Sequence, residues 1–158
     1  MLIAQISDCH IVEPGSTFVD RVDSAQGLRD AVDTIRALDR QPDLVLATGD
    51  LVNDGRAEQY DHLMSIMSRL PMPVVPVAGN HDDRTELRQR FEVLPEGVPD
   101  DPIDYVIDEH PVRIVVLDTT IPGRHDGALG AEHLGWLDRE LGRRPDQPTL
   151  VVQHHPPV

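Results

Sequence analysis

The sequence predicts an α/β sandwich. Two observations carry this: short apolar runs alternate with segments of helical periodicity, and glycine, proline and aspartate punctuate the boundaries. The first run, Leu2-Ile3-Ala4-Gln5-Ile6, is short and rich in β-formers, and reads as a buried strand. After a loop holding Pro14-Gly15, residues Leu28, Ala31, Val32, Ile35 and Leu38 recur at helical spacing. Asp23-Ser24 offers the cap of that helix and Pro42 closes the segment. Leu44-Val45-Leu46-Ala47 is a second buried strand, ending at Thr48-Gly49-Asp50. A second amphipathic helix puts Tyr60, Leu63, Met64, Met67 and Leu70 on one face and stops at Pro71; its methionines read as core filler. Val74-Val75-Pro76-Val77-Ala78 is a third strand, in which Pro76 predicts an edge position or an irregularity.

The Pro- and Asp-rich stretch from Glu96 to Asp104 reads as a surface loop. Tyr105-Val106-Ile107 and Val112-Arg113-Ile114-Val115-Val116-Leu117 follow as two strands, a hairpin around Glu109-His110-Pro111. Leu134, Leu137 and Leu141 mark a further helix with Trp136 packed at its edge. Leu150-Val151-Val152 is the last strand, leading into Gln153-His154-His155-Pro156-Pro157. No internal repeat, low-complexity tract or interdomain linker interrupts the chain, so residues 1–158 read as one domain.

Composition narrows the function classes. The 158 residues carry 14 basic side chains, all of them Arg, against 28 Asp and Glu, a net charge of −14. That field repels polyanionic nucleic acid and anionic membrane surfaces. No apolar stretch approaches the roughly 20 residues of a membrane span, and the N-terminus lacks the features of a signal peptide. One cysteine, Cys9, cannot form an internal disulfide, which makes a reducing cytoplasm the expected compartment.

Ionisable residues fall at the carboxyl end of one strand after another: Asp8 and His10, then Asp50, then Asn80 and His81, then His154 and His155. In open α/β sheets ligands bind just outside those strand ends. Four clusters distant in sequence are therefore expected to converge. Residues i and i+2 of an extended segment project to one face, which pairs Asp8 with His10 and turns Cys9 inward as a small hydrophobe. Pro156 holds His155 extended, so one of the two adjacent histidines faces the site and the other supports it. His62, His110 and His133 sit in helix or loop contexts and read as structural or exposed. Each cluster alone also has a plain turn-forming or core-packing explanation; coincidence at all four is improbable.

The set Asp-x-His, Gly-Asp, Gly-Asn-His-Asp and His-His-Pro-Pro resembles the calcineurin-like metallophosphoesterase superfamily, in particular bacterial class III cyclic nucleotide phosphodiesterases and glycerophosphodiesterases. The likeness runs from Ile6-Ser7-Asp8-Cys9-His10 through Ala78-Gly79-Asn80-His81-Asp82-Asp83 to His154-His155-Pro156-Pro157. It implies an αββα sandwich and two divalent ions of the Mn, Fe, Zn or Co type, for which carboxylate, amide oxygen and imidazole are suitable ligands. By resemblance, Asp8 and His10 hold one metal, Asp50 bridges both, and Asn80 and His154 hold the second. The implied reaction is hydrolysis of a small phosphodiester, a 3',5'-cyclic nucleotide or a glycerophosphodiester, by attack of a metal-bound hydroxide. His81 takes the catalytic role of stabilising charge or protonating the leaving alkoxide, while Asn53 and His125 face the substrate. Two divalent ions also reverse the local field of an acidic chain, which favours small anionic diesters over long polyanions.

Two departures from the pattern stand out. A Tyr-Gly pair common in the loop after the first strand is replaced by Val19-Asp20, and the Gly-His-x-His segment that supplies two further metal histidines is absent. The expectation is therefore an N-terminal portion of the domain that binds metal weakly and hydrolyses little by itself, with homodimerisation left open. The nearest rival is a phosphomonoesterase or protein phosphatase of the same superfamily, against which Asp50-Leu51-Val52-Asn53-Asp54-Gly55 lacks the Asp-Arg-Gly that follows the bridging Asp there. A non-catalytic scaffold is the rival from a different class.

Overall fold

The apolar run Leu44–Thr48 forms β2, the central strand of a three-stranded sheet, and every residue of it is buried. The computed structural model describes residues 1–97 and 101–157. In chain order the elements are β1 (Ile3–Ile6), α1 (Ser24–Arg36), β2, α2 (Ala57–Met67), β3 (Val74–Val77), α3 (Arg84–Arg90), β4 (Tyr105–Ile107), β5 (Arg113–Leu117), α4 (Ala131–Arg143) and β6 (Thr149–Gln153). Strands β1, β2 and β3 pair in parallel in that order. A second sheet has the order β4-β5-β6, antiparallel on one side of β5 and parallel on the other. The β4–β5 pair is the expected hairpin.

Continuous burial of β2 and β5 is what parallel strands covered on both faces require. Leu28, Val32 and Ile35 of α1 and Tyr60, Leu63, Ile66 and Met67 of α2 join Leu44, Val45 and Leu46 in one core. Each such side chain taken out of water contributes about 1.5–3 kcal/mol. Asp23 caps α1 by accepting from the Gln26 amide at 2.8 Å, as its sequence position predicts. Pro76 lies on the edge strand β3, where its missing N–H costs no ladder bond, and its carbonyl accepts from the Tyr105 hydroxyl of β4. That bond ties the two sheets together. Arg113 of β5 is buried and pairs with Glu140 of α4 at 2.8 Å, which anchors that helix to the second sheet.

Three expectations change. Asp8 and His10 are not extended: their φ angles are +53° and +41°, so β1 ends at Ile6 and the chain winds through left-handed positions. The Glu96–Asp104 stretch does not run wholly over the surface. Ile103 is buried, its amide donates to Asp118 at 3.0 Å, and Asp104 accepts from the Asp118 amide at 2.8 Å; residues 98–100 lie outside the described residues. Helix α4 buries none of its side chains, leaving Leu134 and Leu141 exposed and Trp136 half-buried. The sequence reading passed over α3, which has seven residues and one buried side chain, Leu87, too few for a helical period to register. Among the described residues no helix is long and apolar enough to cross a membrane.

Candidate metal centre

Parallel pairing delivers the carboxyl ends of β1, β2 and β3 to one edge, and short backbone bonds continue the pairing beyond the strands. The Asp8 amide donates to Gly49 O and the His10 amide to Asp50 O, each at 3.0 Å. Asp8, His10 and Asp50 all have positive φ (+53°, +41° and +51°). Left-handed backbone costs an L-residue roughly 1–2 kcal/mol and persists only where its surroundings impose it. Here it turns three candidate ligands out of their strand directions.

Gly49 and Gly79 let these turns approach. Gly49 has φ +91°, and a Cβ there would overlap the His154 imidazole, 2.6 Å from its Cγ. A Cβ on Gly79 would strike the amide nitrogen and Oδ1 of Asp50. Both positions exclude any side chain on steric grounds.

Asp50 lies at the centre. Its Oδ2 faces His10 Nε2 at 3.6 Å and its Oδ1 faces His154 Nε2 at 3.5 Å, while Oδ1 also accepts from the His81 amide at 3.0 Å. Burial raises the Asp50 carboxyl, but the His154 imidazole beside it and the hydrogen bond from the His81 amide outweigh that and hold the group below the ordinary carboxylate range. The same contact acts in reverse on His154, which the Asp50 carboxylate raises to about 9. Two groups satisfy ligand spacing: His10, Asp50 and His81, and Asp8, Asp50 and His154, each with donor atoms within 4.8 Å of one another. Asp50 belongs to both. The groups divide Asp8 from His10 and draw in His81, which the sequence reading placed at the phosphate and not on a metal.

The donor chemistry fits divalent cations. Separations of 3.5–3.6 Å between imidazole nitrogen and carboxylate oxygen exceed an ordinary hydrogen bond, yet suit two ligands about 2.0–2.2 Å from one ion. His154 Nδ1 donates to the Thr48 carbonyl at 2.8 Å, which fixes the ring with Nε2 aimed at Asp50, the nitrogen a cation would take in place of its proton. His10 lacks that kind of support: its Nδ1 is buried without a hydrogen-bond partner. The ring plane is set instead by stacking on Phe18, with centroids 4.7 Å apart and planes 9° from parallel.

The remaining expected residues fall around this centre. His81 Nδ1 donates to the Asn53 carbonyl at 2.6 Å, so Asn53 enters through its backbone. Asn80 Nδ2 lies 3.2 Å from His125 Nδ1, and the His125 ring sits 5.5 Å from that of His81. His155 turns away from Asp50 towards Thr119 and the His125 carbonyl, the supporting role expected of one of the adjacent histidines. Cys9 packs against the core, and burial, followed by the charges of Asp82 and Asp8, pushes its thiol up to about 12. His62 binds the Val12 carbonyl and Arg29, away from the centre.

The sequence reading missed Asp82. Its Oδ1 accepts from the Leu51 amide and the Tyr60 hydroxyl, both at 3.1 Å, and Oδ2 from the Gly79 amide at 2.9 Å. One carboxylate thus fastens the turn bearing Asp50 to the turn bearing Asn80. Desolvation pushes it up to about 6 against the pull of those donors. Its place beside Asn80 and His81 in one short motif was the available signal.

The family profile for calcineurin-like phosphoesterases matches residues 1–158. The chain belongs to the calcineurin-like phosphoesterase family. It is 35% identical over 158 residues to a probable glycerophosphodiester phosphodiesterase of Arcobacter nitrofigilis, covering 100% of this chain and 58% of that protein. It is 34% identical over 160 residues to a probable cyclic nucleotide phosphodiesterase of Rhodococcus erythropolis, covering 99% and 52%. A cAMP/cGMP dual specificity phosphodiesterase of Mycobacterium tuberculosis is 34% identical over 161 residues, covering 99% and 50%. This calcineurin-like phosphoesterase chain therefore spans little more than half the length of the curated relatives it matches.

Proposed function

We propose that this chain carries the metal-binding face of a phosphodiesterase acting on small anionic diesters, 3',5'-cyclic nucleotides or glycerophosphodiesters. The observation that carries the reading is Asp50, whose two carboxylate oxygens each face an imidazole Nε2 from a different strand end. Asp8, His10, Asp50, Asn80 and His154 would hold a pair of divalent ions of the Mn, Fe, Zn or Co type. When bound, such a pair supplies a water acidic enough to ionise near neutrality and a clamp on phosphoryl oxygens.

The chain's own residues do the remainder. His81, oriented by the Asn53 carbonyl, carries its Nδ1 proton inward and turns Nε2 towards the site. From there it stabilises charge on the phosphate or, as imidazolium, protonates the departing alkoxide. His125 stands beside it at the mouth of the site and contacts the diester. Glycerophosphodiester and cyclic nucleotide activities named for the relatives support the substrate class.

The test is hydrolysis by the Mn2+-loaded protein of bis-p-nitrophenyl phosphate, cyclic AMP, glycerophosphoethanolamine and a phosphopeptide. Slow diester turnover that disappears in Asp50→Ala is expected. Turnover of the phosphopeptide alone would move the reading to a phosphatase, and none by a protein that binds no metal would leave a scaffold.

A further inference from the structure

We propose that His155 and His125 form a relay that decides which end of the Asn80 amide faces the metal centre, with His155 as a positioning residue and not a ligand. The inference rests on the metal centre proposed above. An asparagine can ligate a cation only through Oδ1, and the two ends of its amide are nearly equal in shape, so its surroundings must choose between them. Here the chooser is His125. Asn80 Nδ2 lies 3.2 Å from His125 Nδ1; with the imidazole proton on Nε2, Nδ1 accepts from Nδ2 and would repel Oδ1. With Nδ2 committed to His125, Oδ1 is the end left free for a cation.

His125 is an exposed loop residue and cannot hold that pose by itself. His155 Nε2 lies 3.2 Å from the His125 carbonyl, which only accepts, so Nε2 carries the proton. His155 Nδ1 is then bare and accepts from the Thr119 hydroxyl at 2.7 Å. Adjacent histidines thus use opposite nitrogens: His154 donates through Nδ1 to the Thr48 carbonyl and aims Nε2 at Asp50, whereas His155 donates through Nε2 to the His125 carbonyl. Gly127 makes room for this arrangement, because a Cβ there would lie 2.8 Å from His155 Cβ and overlap the ring. The loop is closed by the Thr120–Gly127 bridge and by Ala128 N donating to Thr119 O at 2.9 Å. At its start, Arg84 Nη2 donates to Thr120 O and Oγ1 at 3.1 and 2.9 Å. The strand end at β6 is thereby connected to the strand end at β3 through one loop.

Two measurements on the 158-residue chain test this. Long-range 1H–15N spectra of the metal-free protein read the tautomers, and Mn2+ titration reads affinity. The wild type should show both His155 and His125 protonated at Nε2. His155→Ala should shift the His125 Nδ1 resonance towards its solvent-exposed value and weaken Mn2+ binding about 10–100-fold. His155→Gln, whose amide nitrogen reaches the Nε2 position, should restore both; His155→Asn, which reaches only Nδ1, should not. In a His125→Ala background the His155→Ala change should add nothing. Equal loss in Gln and Asn variants would reduce His155 to packing, and a His155 proton on Nδ1 would overturn the relay outright. Failure of the metal centre looks different: wild type and Asp50→Ala alike take up no Mn2+, while the His125 resonance still answers to His155.

Discussion

Gly49→Ala tests the packing of the centre with the fewest assumptions. The substitution adds one methyl group at a φ of +91°, 2.6 Å from His154 Cγ. Carbon atoms pack at about 3.5–4.0 Å, so the imidazole must retreat by about 1 Å. The His154 Nε2 to Asp50 distance of 3.5 Å would stretch accordingly, and metal–ligand distances tolerate only about 0.2 Å. The expected loss of Mn2+ affinity is at the upper end of about 10–100-fold. Backbone strain should lower stability by about 1–2 kcal/mol, readable by urea unfolding. Gly15→Ala is the control: its φ is +85°, but a Cβ there meets nothing within 4 Å, so it should carry the strain without the loss of metal. Wild-type Mn2+ affinity in Gly49→Ala, or equal loss in Gly15→Ala, refutes the steric argument.

The further predictions concern protons and the supporting shell. Because Asp50 raises His154 to about 9, the metal-free protein holds that proton at neutral pH and Mn2+ must displace it. Affinity should climb about tenfold per pH unit up to about 9, with proton release visible by calorimetry in buffers of different ionisation enthalpy. The sign for stability is opposite: the folded pKa lies above the unfolded one, so this pair's contribution is complete below about 6.5 and fades as pH rises through about 9. Cys9, pushed up to about 12, should resist iodoacetamide at pH 8 in the native chain and react in urea, as mass spectrometry would record. Tyr60→Phe removes the hydroxyl that donates to Asp82 at 3.1 Å and accepts from the Asp83 amide at 2.9 Å. It should cost about 1–3 kcal/mol in urea unfolding; no measurable change would show that Asp82 holds its turns without it.

Much of the architecture was legible because it rests on periodicity. The strands around Leu44, Val74 and Ile114, the cap at Asp23 and the edge position of Pro76 follow from patterns that the structure repeats. Convergence of Asp8, His10, Asp50 and His81 was legible too, since parallel pairing carries the carboxyl ends of β1, β2 and β3 to one edge, and His154 joins them from β6 of the second sheet. Dihedral angles were not. Residue spacing says nothing of a left-handed Asp8 or Asp50, and an extended Asp-x-His was the natural but mistaken reading. Nor could spacing show that Asp82 joins two turns or that His125 meets Asn80, because those contacts arise only when separate loops meet. Helix α4 misled for another reason: its leucines have helical spacing, but nothing among the described residues covers them.

Electron paramagnetic resonance of the protein titrated with Mn2+ tests most directly whether one carboxylate serves two cations. A shared Asp50 predicts a spin-coupled spectrum at saturation that collapses in Asp50→Ala. An isolated six-line signal at saturation, or an unchanged spectrum in Asp50→Ala, contradicts it.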